Sequence, residues 1–191
     1  MSIVLLGSTS GSCTLQEQAI AGNATLTLPT YTGTVGVSVR ETAQASTSGT
    51  FFDFSSIPDG VRKITVILDG VSTSGTSPLI VQLGDSGGLE TIDYVSSAGN
   101  ISTSTASVTS STVGFVVAVI SAGSNETSGT ATIVNISSNS WVCSGTSSQS
   151  ATGVSYFAGD KSLSAVLNQL RVTTVNGTDT FDAGLINILY E

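Results

Sequence analysis

The sequence has no histidine, and only five of its 191 residues are basic. Lacking histidine, the chain cannot build a Ser-His-Asp or Cys-His nucleophile arrangement, or a His-based metal site. The bases are Arg40, Arg62, Lys63, Lys161 and Arg171, and only Arg62 and Lys63 adjoin. They make no stripe that could replace the counterions of a phosphate backbone, so no nucleic acid partner is expected. An anionic membrane is disfavoured for the same reason. Two cysteines, Cys13 and Cys143, make neither a disulfide scaffold nor a zinc cluster. They read as small buried hydrophobes, with a bridge between them or between copies as the alternative. Nothing approaches the ~20 apolar residues of a membrane span. The apolar run from Ile3 to Leu6 is short and follows no basic segment, so no signal peptide is expected. The expectation is a soluble chain made in a cytoplasm, without membrane insertion. Runs such as GSTSGS are not phosphate loops, since no Lys-Ser/Thr follows, and no cofactor is expected.

What the chain does have is small hydroxyls: 33 Ser and 27 Thr. Disordered chains are poor in aliphatic residues and rich in charge. Here 39% of residues are hydrophobic and 9% charged, and the net charge is −8. The Ser, Thr and Gly therefore read as β-surface and turns.

A soft boundary falls after residue 49. Ahead of it, Ala24 to Leu28 alternates and stops at Pro29, Val35, Val37 and Val39 share one face, and 41–50 reads as a linker or exposed loop. Residues 1–49 are expected to form a small β-rich arm and 50–191 a β-sandwich domain. From Phe51 on, strand signals recur at 61–70, 78–84, 90–95, 113–120, 130–136, 141–144, 153–158 and 169–175, then in the terminal strand. Loops are expected at 121–129 and 144–153. In 160–170, Leu163, Val166, Leu167 and Leu170 have helical spacing with Asp160 as cap, but irregular or β structure is favoured because everything around it is β. The fold expected is all-β, an antiparallel β-sandwich of jelly-roll type.

Asn176-Gly177 predicts a type I′ hairpin turn. In the strand that follows, Ile186, Ile188 and Tyr190 share one face and Leu185 and Leu189 the other. Residues 113–120 are likewise apolar on both faces. A two-sheet sandwich leaves one face of each sheet wet. With so few charges, the second apolar face is expected to be buried between copies, through Ile186, Ile188, Tyr190, Val116 and Ile120.

Little else carries chemistry. Asp179 and Asp182 are close in sequence, and glycoside hydrolysis needs two carboxyls roughly 5 to 9.5 Å apart. Turn chemistry accounts for both, so no enzymatic activity is expected. Asp-Gly at 59–60 and 69–70 and DSGG at 85–88 offer oxygens to calcium, but without EF-hand spacing, and no metal is expected. Trp141 and Tyr156, with Phe157, offer rings for a glycan-binding platform. The competing reading puts Trp141 in the core beside Cys143.

Two stretches, IPDGVRKITVILDGVSTSGTSPLIVQLG (57–84) and LNQLRVTTVNGTDTFDAGLINILYE (167–191), resemble a C-terminal domain that recurs in tail-fibre and other virion structural proteins of tailed bacteriophages. The segment TLQEQAIAGNATLTLPTYTGTV (14–35) is similar to a short module of phage fibre proteins. The resemblance implies a non-enzymatic virion surface protein that forms a homotrimer, assembles in the host cytoplasm and docks on other virion proteins. Fibre proteins of this kind are usually longer, with shaft regions that are not found here. That turns the expectation toward a short fibre for host attachment through surface polysaccharide, with a head fibre or capsid decoration protein as the alternative.

Overall fold

The computed structural model describes residues 2–6, 12–16, 36–150 and 152–191. The chain falls into two compact units, Met1–Val35 and Gly36–Glu191. In the first, β1 (Ser2–Leu6) and β2 (Ser12–Gln16) pair antiparallel, with Leu5 opposite Cys13. The alternation expected at 24–28 lies outside the described residues.

The second unit contains β3 (Val39–Arg40), β4 (Gln44–Ala45), β5 (Phe51–Ser55), β6 (Lys63–Thr73), β7 (Leu79–Asp85) and β8 (Gly88–Leu89). It continues with β9 (Val95–Ser102), β10 (Ala106–Ser111), β11 (Phe115–Ala118), β12 (Thr127–Ser137) and β13 (Ser140–Gln149), then β14 (Gly153–Ser162), β15 (Gln169–Thr174) and β16 (Phe181–Tyr190). All pairings are antiparallel. One sheet runs β10-β9-β14-β13-β12-β6-β16-β3, with β4 also on β16; the other runs β11-β7-β15-β5, with β8 on β7. The two sheets pack face to face as a sandwich.

Alternation explains the strands that were legible. On β6, Ile64, Val66 and Leu68 are buried while Lys63, Thr65 and Ile67 are half-buried on the other side. They meet Tyr190, Ile188 and Ile186 of β16 and, on β12, Ile133 and Ala131. From the smaller sheet, Phe52, Phe54, Leu83, Leu170 and Val172 fill the space opposite. Phe52 meets Phe181 edge to face at 5.0 Å, joining the sheets. Asp69-Gly70, expected to end β6, instead makes a break in register inside it: Gly70 has φ +62°, and the pairing with β12 and β16 shifts there.

β11 is held in an unusual way. It pairs with β7 along one edge and packs against β9, β13 and β14 of the larger sheet, whose side chains bond backbone groups that the β7 ladder leaves over. Val116 N–H donates to Ser96 Oγ (2.9 Å), Ser147 Oγ donates to Val117 C=O (2.8 Å), and Val119 N–H donates to Ser155 Oγ (3.2 Å). Inward serines thus satisfy a buried strand that would otherwise carry costly orphan groups.

Several expectations need correction. The second compact unit begins at Gly36. Residues 41–46 are held along β16 by backbone bonds, Glu41 N–H to Ile188 C=O and Ser46 N–H to Gly184 C=O, which no apolar pattern announces. The segment 90–94 is loop, not strand, and 144–149 belongs to β13 rather than to a loop, with β14 beginning at Gly153. Asn176-Gly177 sits in a turn closed by Gly177 N–H to Thr174 C=O, with positive φ at Gly177 and not at Asn176. This turn does not make a hairpin: β15 and β16 lie in different sheets. Residues 163–168 are irregular, as favoured, with Leu163 and Leu167 buried.

Ile186, Ile188, Tyr190, Val116 and Ile120, expected between copies, are all buried within one chain. The first three face inward from β16 against β6, and Tyr190 Oη also reaches Glu41. Val116 lies in β11, which is buried on both faces because it sits inside the sandwich. The second apolar faces thus find their cover in the same chain. Of the large apolar residues on β16 that turn outward, Leu189 is half-buried and Leu185 is exposed.

Candidate functional site

The register fixes what the larger sheet shows to the outside at its β9–β10 end. Tyr156 of β14 lies opposite Gly99 of β9 and Thr146 of β13. A Cβ built on Gly99 would run into the Tyr156 ring, so the ring lies across the glycine and needs it there. Its other side is open, and the residue is 49% exposed. Beside it is an open depression of about 540 Å³, lined by Ser97, Ala158, Ser144, Thr146 and Val108 among others. The hydroxyls of Ser97, Ser144, Thr146 and Tyr156 are on exposed residues.

No charged residue occurs on β9, β10 or β13. On β14, Asp160 is exposed on this face, while Lys161 turns inward. The arrangement offers an aromatic plane, small flat neighbours and free hydroxyls, which suits stacking and hydrogen bonding. The depression holds no nucleophile–base pair.

Trp141 is not part of it. The structure turns Trp141 inward, 3% exposed, opposite Lys161 on β14, with Cys143 buried two residues on. Its Nε1 has no hydrogen-bond partner, and the residue lines a small cavity of about 40 Å³, room for a water. Phe157 is buried as well. Burial pushes the Cys143 thiol up to about 12.

The densest polar cluster lies elsewhere and works as a clamp. Lys161 Nζ, 3% exposed, meets Glu90 Oε2 at 2.6 Å and Ile92 C=O at 3.0 Å, and sits over the Tyr94 ring. Glu90 Oε1 accepts from Ser164 N–H, and Asp85 accepts from Ser164 Oγ, Ala165 N–H and Gly87 N–H. Asp85 is held below the usual carboxylate range, chiefly by the Ser164 hydroxyl and then by Gly87 N–H. Burial alone would raise Glu90, but the bonds from Lys161 and Ser164 prevail and lower it. Asp85 Oδ2 and both Glu90 carboxylate oxygens tie 85–94 to 161–165, while Asp85 Oδ1 closes a local turn on Gly87 N–H. Asp179 and Asp182 are similarly occupied: Asp179 accepts from Ser77 N–H and Asn176 Nδ2, Asp182 from Ser72 Oγ.

Sequence reasoning picked out Tyr156 and missed Gly99, Val108, Ser97 and Ser144 around it. β9 and β10, which carry most of these residues, show no clear apolar alternation that could have announced them, and Ser102 N–H donates to Thr105 C=O between the two strands. No family profile, curated protein or solved structure matches the chain.

Proposed function

We propose that the chain is a non-enzymatic surface protein of a tailed-phage virion, of jelly-roll-like short-fibre type, that attaches to host surface polysaccharide through the outer face around Tyr156. The observation that carries this reading is the Tyr156 ring laid over Gly99, with its free side beside a depression bordered by hydroxyls. Tyrosine in that pose gives a sugar an apolar plane and a polar edge. The resemblance of 57–84 and 167–191 to virion structural proteins supplies the setting, and the charge-poor surface agrees with contact to a glycan rather than to nucleic acid.

A second reading is capsid decoration. It is favoured by the same face seen more widely: β9, β10 and β13 present a broad surface with no charge, which also suits a protein neighbour in a shell. Purified chain distinguishes the two. Attachment predicts saturable binding to host cells and no binding to emptied, undecorated capsids, with virion copy number matching tail or fibre positions. Binding to capsids alone, at a copy number that follows the capsid subunits, would replace attachment with decoration.

A further inference from the structure

We infer that the outer face of the smaller sheet carries a second binding site, a recess lined by Arg171 and Gln82 that takes a vicinal diol of a neutral saccharide. Asp53 of β5, Arg171 of β15 and Gln82 of β7 stand side by side across three strands. Phe51 and Thr173 form the next pair along. With the turn at 175–177 on one side and Thr91 and Val113 on another, they border an open recess of about 330 Å³.

Two polar groups of this recess lack partners. Arg171 donates from Nε and Nη2 to the Asp53 carboxylate at 2.6 and 2.7 Å, and its Cζ lies 3.8 Å from the centre of the Phe51 ring. These contacts fix the guanidinium plane and leave Nη1 without an acceptor among the described residues. Gln82 is only 8% exposed, and its Nε2 donates to Val113 C=O at 2.8 Å. A carbonyl only accepts, so this bond settles which end of the amide is nitrogen. Gln82 Oε1 is then an acceptor on a buried side chain with no donor among the described residues. The neighbouring polar groups are engaged: Thr173 Oγ1 donates to Thr50 C=O, and Asn176 bonds Thr174, Thr178 and Asp179. Buried polar groups are normally paired, so an acceptor held open beside a fixed donor points to a ligand.

The two groups ask for different things of neighbouring atoms. One ligand oxygen must accept from Arg171 Nη1, and a hydroxyl beside it must donate to Gln82 Oε1. Adjacent hydroxyls of a sugar ring supply both, while its C–H side meets Phe51 and Val175, which are exposed at the rim. A carboxylate fits less well. Asp53 already balances the Arg171 charge, and the chain's net charge of −8 opposes an anion. The recess is on the other sheet from Tyr156, and the inference does not rest on the function proposed for that face.

Backbone amide NMR shifts of the labelled full chain test it, with methyl glucoside, methyl galactoside and methyl mannoside as neutral probes and glucuronate as the anionic one. The expected result is saturable shifts at Gln82, Val113 and residues 171–177 with at least one neutral glycoside, in roughly the millimolar range, and unchanged in Tyr156→Ala. Thr91→Trp fills the recess from an exposed loop position and should abolish them. Arg171→Lys keeps a cation for Asp53 but removes Nη1, and should weaken binding at least about tenfold. If Arg171→Lys fails to fold, Thr91→Trp decides. No shift with any neutral glycoside, shifts that survive Thr91→Trp or are lost in Tyr156→Ala, or glucuronate binding as tightly as the neutral probes would overturn it.

Discussion

Serine has two different roles in this chain, and the direction it faces decides which. Ser147 points inward and bonds the Val117 carbonyl, whereas Ser144, three residues earlier on the same strand, faces out. Ser147→Ala leaves a buried acceptor unmet and is expected to cost about 1–3 kcal/mol. Ser144→Ala should stay within about 0.5 kcal/mol. Urea unfolding of both variants checks this, and equal costs would remove the role assigned to the inward serines. Cys143 belongs to the same scale: its buried, protonated thiol should resist alkylation at mildly alkaline pH until the chain unfolds. Composition showed that serine was abundant but not that part of it was internal, because a buried hydroxyl and a wetted one are the same letter in a sequence.

At the scale of elements, alternation of large and small residues decided what could be read. β6, β7, β12, β15 and β16 carry Ile, Val or Leu at every second place along at least part of their length and were expected near where they lie. β9 and β10 are built mainly of Ser, with Val, Ala, Gly, Thr, Asn100 and Ile101, offer little contrast between faces and were not expected. The segment 90–95 failed the other way. Its alternation suggested a strand, but the polar tips of Glu90 and Tyr94 win: Tyr94 Oη accepts from Leu83 N–H at 2.7 Å, and Glu90 holds Lys161. This clamp gives a pH prediction. Asp85 and Glu90 titrate lower in the folded chain than in the unfolded one. Their contribution is therefore present above the ordinary carboxylate range and is lost as pH falls through the folded values. Stability should hold near neutrality and fall below about pH 4. Lys161→Met should cost about 3 kcal/mol at neutral pH by leaving Glu90 without its partner, and should move acid unfolding toward higher pH, as read by circular dichroism.

For the whole molecule, the sequence showed a chain with too much apolar surface for one wet-faced sandwich, and misplaced where that surface goes. A run such as 113–120 says that both faces are covered but not by which chain. Here the second sheet, the packing of β11 and the strip 39–46 supply the cover. Among the described residues, the β9–β10 end of the larger sheet, which includes the Tyr156 ring, is an uncharged surface left exposed. The most direct measurement is a titration of purified full chain with polysaccharide from the host cell surface, comparing the unaltered protein with Tyr156→Ala and with Gly99→Val, which displaces the ring. Saturable binding, weakened about tenfold or more in both variants while circular dichroism is unchanged, is the predicted result. Binding that is untouched by either substitution, or no binding to polysaccharide alongside binding to emptied capsids, would contradict it.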